Sequence, residues 1–235
     1  MIHLGGDETD YWVKDCWENN NKINEFMKAH SLNSTEELCT FYNQKFTRII
    51  KKLLDKRDQL YPDKDGARGR PIFWDEIFAQ TPDKNSIIHL WRSSNETERK
   101  NDTEQITANG YNMILSSCWY LSNIKYGHDW FGLDDTHTFY TCDPRNFNGT
   151  GEQKKLVLGG IAAMWGEYID GTNIESTLWP RASTVAERLW SSPRDTHCAQ
   201  DAWPRLHEHR CRMVARGYRA SPPFGADFCL IEYSD

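Results

Sequence analysis

Short apolar runs alternate along this chain with longer amphipathic stretches, a pattern that predicts strands alternating with helices. Residues 1–6 (MIHLGG) predict a buried strand that runs at once into a glycine turn. Residues 16–29 carry Trp17, Ile23, Phe26 and Met27 at helical spacing. Ser34 and Glu37 form a capping-box pattern. Behind them Leu38, Phe41, Tyr42, Phe46, Ile49, Ile50, Leu53 and Leu54 build one apolar stripe of a long helix. A loop containing Pro and Gly is expected over 61–70. Strands are expected at 72–75, 87–91, 111–116 and 159–165, with a polar, partly helical segment at 95–109. A long aromatic-rich loop is expected over 119–155, a helix from Pro180 to about Trp190, and a last helix over about 200–216. Strands separated by helices or long connections predict parallel β/α units.

Composition narrows the function classes. The chain has 235 residues and a mass of 27.5 kDa, enough for one large domain or two small ones. Its net charge of −6 disfavours a nucleic-acid partner, which would need a basic face to neutralise phosphates. No apolar run approaches the ~20 residues needed to cross a bilayer. Ten Trp, ten Tyr and ten Phe in a chain of mean hydropathy −0.76 exclude disorder. They leave two uses for the aromatics: filling a core, and lining a site for flat or sugar-like ligands.

Seven cysteines without a C-x-x-C pair argue against a zinc ribbon or a redox motif. Together with sequons at Asn33, Asn95, Asn101 and Asn148 they favour an oxidising, glycosylating route, hence a lysosomal or secreted protein. The N-terminus has neither the basic region nor the apolar core of a signal peptide. It begins inside what looks like a motif, so a fragment is expected, its signal peptide lost with an N-terminal part.

Each of the five expected strands ends in chemistry: Asp7-Glu8, Trp74-Asp75-Glu76, Trp91, Trp119-Tyr120 and Trp165-Gly166-Glu167. Polar and aromatic groups at the C-terminal ends of parallel strands are the layout of a TIM (β/α)8 barrel. The fold class expected is therefore α/β, an incomplete barrel with about strands 4–8 present and strands 1–3 missing. Asp7 and Glu8 can share a site only where the strand bends, which Gly5 and Gly6 allow. They read either as a carboxylate pair with split protonation or as a solvated turn, and on the residues alone the two readings are even.

The segment His3-Leu4-Gly5-Gly6-Asp7-Glu8 resembles the His-x-Gly-Gly-Asp-Glu motif of glycoside hydrolase family 20, the β-N-acetylhexosaminidases. Ser116-Ser117-Cys118-Trp119-Tyr120-Leu121 resembles the strand-7 motif of the animal lysosomal members. Met164-Trp165-Gly166-Glu167-Tyr168, Leu178-Trp179-Pro180-Arg181-Ala182-Ser183 and Glu187-Arg188-Leu189-Trp190 resemble the strand-8 region and its helix. His209-Arg210-Cys211-Arg212-Met213-Val214 resembles the C-terminal helix. The likeness runs over essentially all of 1–235, which would be the C-terminal portion of the catalytic barrel with its final helix and tail.

The resemblance implies removal of terminal β-linked N-acetylhexosamine (GlcNAc or GalNAc) by a substrate-assisted retaining mechanism, with Glu8 as general acid and base, Asp7 orienting the acetamido N–H, and Tyr120 donating to its oxygen. Trp74, Trp91 and Trp165 would wall the acetamido pocket, with Trp119 also a substrate contact. The alternative for each Trp is plain core packing. Glu167 would accept from sugar hydroxyls. His3 is expected to support the site through hydrogen bonds, and His89 to sit in the core. No cofactor and no metal are implied. Expected partners are N-acetylhexosamine-terminated glycans, glycolipids or glycosaminoglycans, and a related subunit in a homo- or heterodimer reached by Tyr126. Cys211 is expected to pair with Cys229 and Cys118 with Cys142, leaving Cys16 a free thiol. Two other readings remain: an inactive, truncated sugar-binding or assembly product, and a metal-dependent barrel hydrolase, for which no His-x-His or carboxylate cluster speaks. The 235-residue chain alone is expected to be inactive.

Overall fold

The structure is a computed structural model that describes residues 1–9, 13–61, 69–123, 139–196, 198–223 and 229. The chain divides into two compact units: Met1–Ile114 with Phe147–Leu158, and Leu115–Asn146 with Gly159–Asp235. Five strands form one sheet in chain order: β1 (Ile2–His3), β2 (Pro71–Trp74), β3 (Ile87–Leu90), β4 (Asn112–Leu115) and β5 (Val157–Gly160). The β1–β2 and β2–β3 pairs are parallel, with Ile2 opposite Pro71, His3 opposite Ile72, and Trp74 opposite His89.

In the first unit the sheet is built around β3. All four residues Ile87–Leu90 are buried, as expected of a parallel strand covered on both faces. Phe73, Ile77, Ile106 and Met113 join them at 2% exposure or less. The strand expected over 1–6 is shorter than that, and it is exposed: only Ile2–His3 is extended, and Ile2 is 46% exposed. It has one neighbour in the sheet order, and its run ends because Gly5 and Gly6 take φ of +74° and +102°.

The helix expected over 16–29 is two helices, α1 (Lys14–Glu18) and α2 (Asn21–Ala29). The cause is Asn20, whose side chain accepts from the Lys22 and Ile23 N–H groups and starts a new helix. The long helix α3 (Thr35–Leu60) starts where Ser34 predicted, with Ser34 Oγ accepting from Glu37 N–H. The Glu37 carboxylate reaches back one residue further than a capping box requires, to Asn33 N–H at 2.8 Å. The apolar stripe is buried only at its start: Leu38 is covered, whereas Tyr42, Ile49 and Leu53 are 50% or more exposed. A 3-10 turn (Asp75–Gln80) follows β2 directly. The polar segment 95–109 is helix α4 (Glu96–Ala108), capped by Asn95. The loop expected to run to 155 instead contains α5 (Gly151–Leu156), which Thr150 and Gln153 start as a reciprocal capping box.

In the second unit, backbone pairing continues beyond the strands: Ile161 N–H donates to Leu115 O, and Tyr120 bridges Ala163 in parallel. The strand expected at 159–165 therefore starts earlier, at Val157, and ends at Gly160. Disulfides join Cys118 to Cys142 and Cys211 to Cys229. Helices α6 (Ile174–Leu178), α7 (Arg181–Trp190) and α8 (Ala199–Ala215) complete it. Arg188, its side chain 7% exposed, ties α7 to the disulfide loop, pairing with Asp143 at 2.9 Å and donating to Cys142 O and Thr196 Oγ1.

Candidate active site

The acidic pair sits on a sharp corner of the first unit. Gly5, Gly6 and Glu8 all have positive φ, and Glu8 does so at +50° despite carrying a side chain. A non-glycine residue in that region costs roughly 1–2 kcal/mol and persists only where its surroundings hold it. The 3-10 turn supplies that hold. A Cβ on Gly6 would lie 2.5 Å from Ile77 Cγ1 and 2.7 Å from Ile77 Cδ1. The next residue back, Glu76, accepts from Glu8 N–H at 3.4 Å. The corner is also pinned to β2, where Leu4 N–H donates to Ile72 O and Trp74 N–H to Gly5 O.

These contacts predict a contrast. Gly6→Ala combines the clash with forbidden φ, so a loss of about 1–3 kcal/mol is expected. Gly5→Ala meets nothing nearer than Asp7 Oδ1 at 3.9 Å, so only the φ penalty of about 1 kcal/mol remains. Thermal melts of the two variants side by side check this. Equal melting points would mean that Ile77 does not buttress the corner.

His3 stands behind the corner. Its Nδ1 accepts from Gly5 N–H at 3.1 Å, so its proton lies on Nε2 and is donated to His89 Nδ1 at 3.1 Å. The His89 proton is then on Nε2, a buried atom with no hydrogen-bond partner among the described residues. Trp74 stacks on His89 at 4.3 Å and lies 4.5 Å from His3. Although His3 keeps one side open to solvent, burial of its ring lowers its pKa, against the opposing pull of Asp7.

Burial, with His3 nearby, takes His89 down to about 4. The sign for stability follows from that depression. The unfolded chain takes up a proton near 6.5, the folded one only near 4, so His89 costs the fold stability as pH falls through that window. We expect His89→Gln to flatten the acid-side fall in melting temperature between about pH 6.5 and 4. An unchanged slope would show that His89 is not the group responsible.

Past β2 and β3, two acids clasp two residues. Asp75 is buried and accepts from Trp91 N–H at 3.2 Å and Arg92 Nε at 2.8 Å. Glu76 accepts from the Trp91 indole N–H at 3.0 Å. Trp74 meets Trp91 edge to face at 6.1 Å. Of the residues singled out from the sequence, the first unit thus gathers His3, Asp7, Glu8, Trp74 and Trp91. Asp75, Glu76 and Arg92 were not singled out as site residues. The available signal was an acid pair directly after one strand and a Trp-Arg pair directly after the next.

In the second unit, Tyr120 is half-buried and bridges Ala163, two residues before Trp165. Trp165 is 43% exposed, and Glu167 is exposed. Trp119 departs from its expected role as a sugar contact. It is fully buried, gives its indole N–H to Phe139 O, and lies so close to Gly160 that a Cβ there would fall 1.9 Å from its Cζ3. Its neighbours use the ring as core. Tyr126 lies outside the described residues. Asn33, Asn95, Asn101 and Asn148 are all exposed. Cys16, Cys39 and Cys198 are free thiols, of which only Cys16 is exposed.

Comparison with known proteins places the chain in a family. The profile of "Glycosyl hydrolase family 20, catalytic domain" matches residues 1–193. "Beta-hexosaminidase A" of Caenorhabditis elegans is 45% identical over 242 residues, covering all of this chain and 41% of that protein. "Beta-hexosaminidase subunit beta" of Homo sapiens is 40% identical over 235 residues, covering 99% of this chain and 37% of that protein. The chain therefore spans about two-fifths of the length of these relatives. The solved structure of a Flavobacterium johnsoniae chitobiase superposes with a TM-score of 0.67 at 29% identity, over 92% of this chain and 29% of that one. The family match over 1–193 and the identity to these relatives over the whole chain show that this α/β chain belongs to glycosyl hydrolase family 20.

Proposed function

We propose that this chain is the catalytic part of an exo-acting β-N-acetylhexosaminidase. It would remove terminal non-reducing β-linked N-acetylglucosamine or N-acetylgalactosamine from glycoconjugates. The observation that carries the reading is the corner bearing Asp7 and Glu8, with Gly5, Gly6 and Glu8 at positive φ, within the matched family region. The names of the relatives, beta-hexosaminidases among them, support it. The sheet order β1 to β5 supports a further reading as part of a (β/α)8 barrel.

The mechanism proposed is substrate-assisted. The acetamido oxygen of the sugar attacks C1 while Glu8 gives its proton to the departing glycosidic oxygen. Asp7 stays ionised, accepts the acetamido N–H and balances the positive oxazolinium. Tyr120 donates to the acetamido oxygen. Glu8, now a carboxylate, takes a proton from water, which adds at C1 and reopens the ring with overall retention. Trp74, Trp91 and Trp165 exclude water, and Glu167 accepts from sugar hydroxyls. Trp119 is left out of this set because its ring is core. Lysosomal or secreted residence fits the two disulfides and the exposed sequons. A homo- or heterodimer of related subunits fits the subunit names of the relatives.

The test is twofold: hydrolysis of an aryl N-acetyl-β-glucosaminide by the chain, and binding of a stable thiazoline mimic of the oxazoline. Turnover together with tight binding of the mimic supports the reading. Binding without turnover supports an inactive sugar-binding product of the same family. Neither would overturn both.

A further inference from the structure

We propose that Glu76 is a positioning residue that holds the candidate acid and one candidate pocket wall with a single carboxylate. Oε1 accepts the backbone N–H of Glu8 at 3.4 Å, and Oε2 accepts the indole N–H of Trp91 at 3.0 Å. The assignment rests on the roles given above to Glu8 and Trp91.

The geometry gives this carboxylate something to do at each end. Glu8 is the one residue of the corner that takes positive φ with a side chain, and an acceptor fixed opposite its N–H favours that backbone state. Trp91 follows β3 and has rotational freedom about its side-chain torsions. Its backbone N–H is held by Asp75 and its indole N–H by Glu76, so both the start and the far edge of the side chain are fixed. The Trp91 bond is part-buried, which strengthens a hydrogen bond to a charged acceptor, whereas the bond to Glu8 N–H is longer and open to solvent. The Glu76 side chain is 14% exposed.

Asp75 and Arg92 are the charged groups that act on it. Asp75 lies on the same turn and raises the cost of a second negative charge. Arg92 Nε lies 3.8 Å from Glu76 Oε1 and 2.8 Å from Asp75 Oδ2, so one guanidinium serves two carboxylates. Burial pushes the Glu76 carboxyl above its ordinary range, the Trp91 bond pulls it down, and Asp75 adds to the rise. Ile77, next in the chain, wedges against Gly6. The turn after β2 therefore sets the corner twice, through shape at Gly6 and through a carboxylate at Glu8.

A group that holds two N–H donors should report its own protonation at both. We expect the amide proton of residue 8 and the indole proton of Trp91 to shift together with pH, with one midpoint above the usual value of about 4.5 for glutamate. The measurement is heteronuclear NMR of the whole chain carrying Glu8→Gln, which removes the titration of the residue-8 side chain itself. Adding Glu76→Gln, of nearly the same size, should abolish the shared titration at both sites. Two different midpoints, or a titration that survives Glu76→Gln, would overturn the assignment.

For turnover, Glu76→Gln alone should lower kcat on the order of 10- to 100-fold, since small misplacements of a reacting group carry such costs. An unchanged kcat in an active chain would also overturn it. Failure of the chain to hydrolyse or bind N-acetylhexosaminides would sink the proposed function, while the NMR result decides the role of Glu76 on its own.

Discussion

In a complete, active version of the proposed enzyme, Glu8→Gln should remove most turnover on N-acetyl-β-glucosaminides, by roughly 10²–10⁴-fold in kcat, while binding of the sugar survives. The substitution keeps the size and shape of the side chain but cannot release a proton to the leaving oxygen. It leaves the corner itself intact, because the corner is made by backbone contacts: Glu8 N–H to Glu76, Trp74 N–H to Gly5 O, and Gly6 against Ile77. The loss should depend on the leaving group. A phenol that departs easily needs little protonation, so an activated aryl glycoside should retain more rate than a natural disaccharide does. If Glu8→Gln hydrolyses the disaccharide at the wild-type rate, Glu8 is not the acid.

Trp119→Ala should act on stability instead. The residue is fully buried, its indole N–H is satisfied by Phe139 O, and its ring fills the space over Gly160. Truncation of a buried aromatic of this size costs about 3–5 kcal/mol through lost burial and the cavity left behind. For a domain of this length that is a fall in Tm of roughly 6–20 °C. Trp165→Ala is the control. Trp165 is 43% exposed, so its removal should change Tm little and should raise KM if it walls the pocket. A Trp119→Ala chain that melts like wild type and merely binds sugar less well would return Trp119 to the role of a sugar contact.

Much of this molecule is written in local chemistry, and there the sequence is decisive. Ile87-Ile88-His89-Leu90 is a strand because β-branched residues in a continuous apolar run suit a covered parallel position. Ser34 starts α3 because its hydroxyl accepts from an N–H three residues on, ahead of a stretch with helical spacing. The glycines before the acid pair likewise allow a bend, because they have no Cβ to oppose positive φ.

What the chain could not reveal locally depends on which distant residues meet. The break at Asn20 was hidden because the apolar spacing on either side continues in phase while a side-chain cap competes with the helix. The stripe of α3 was plain as a pattern, but burial depends on what lies against it, and Tyr42, Ile49 and Leu53 remain open. Trp119 and Trp165 look alike as tryptophans at strand ends; only the placement of Gly160 and Phe139 makes one of them core.

The site divides in the same way. Asp7 and Glu8 are adjacent in sequence and follow two glycines, so the corner that carries both was legible. His89 and Glu76 lie 86 and 68 residues from the partners they hold, His3 and Glu8, and no spacing rule links them. Parallel pairing of β1, β2 and β3 brings their ends together and turns three unrelated segments into one hydrogen-bonded group. Residue types and local backbone preference belong to the sequence. The conformation of Glu8 and the protonation of His89 depend on burial and on long-range partners, which exist only once the sheet has formed.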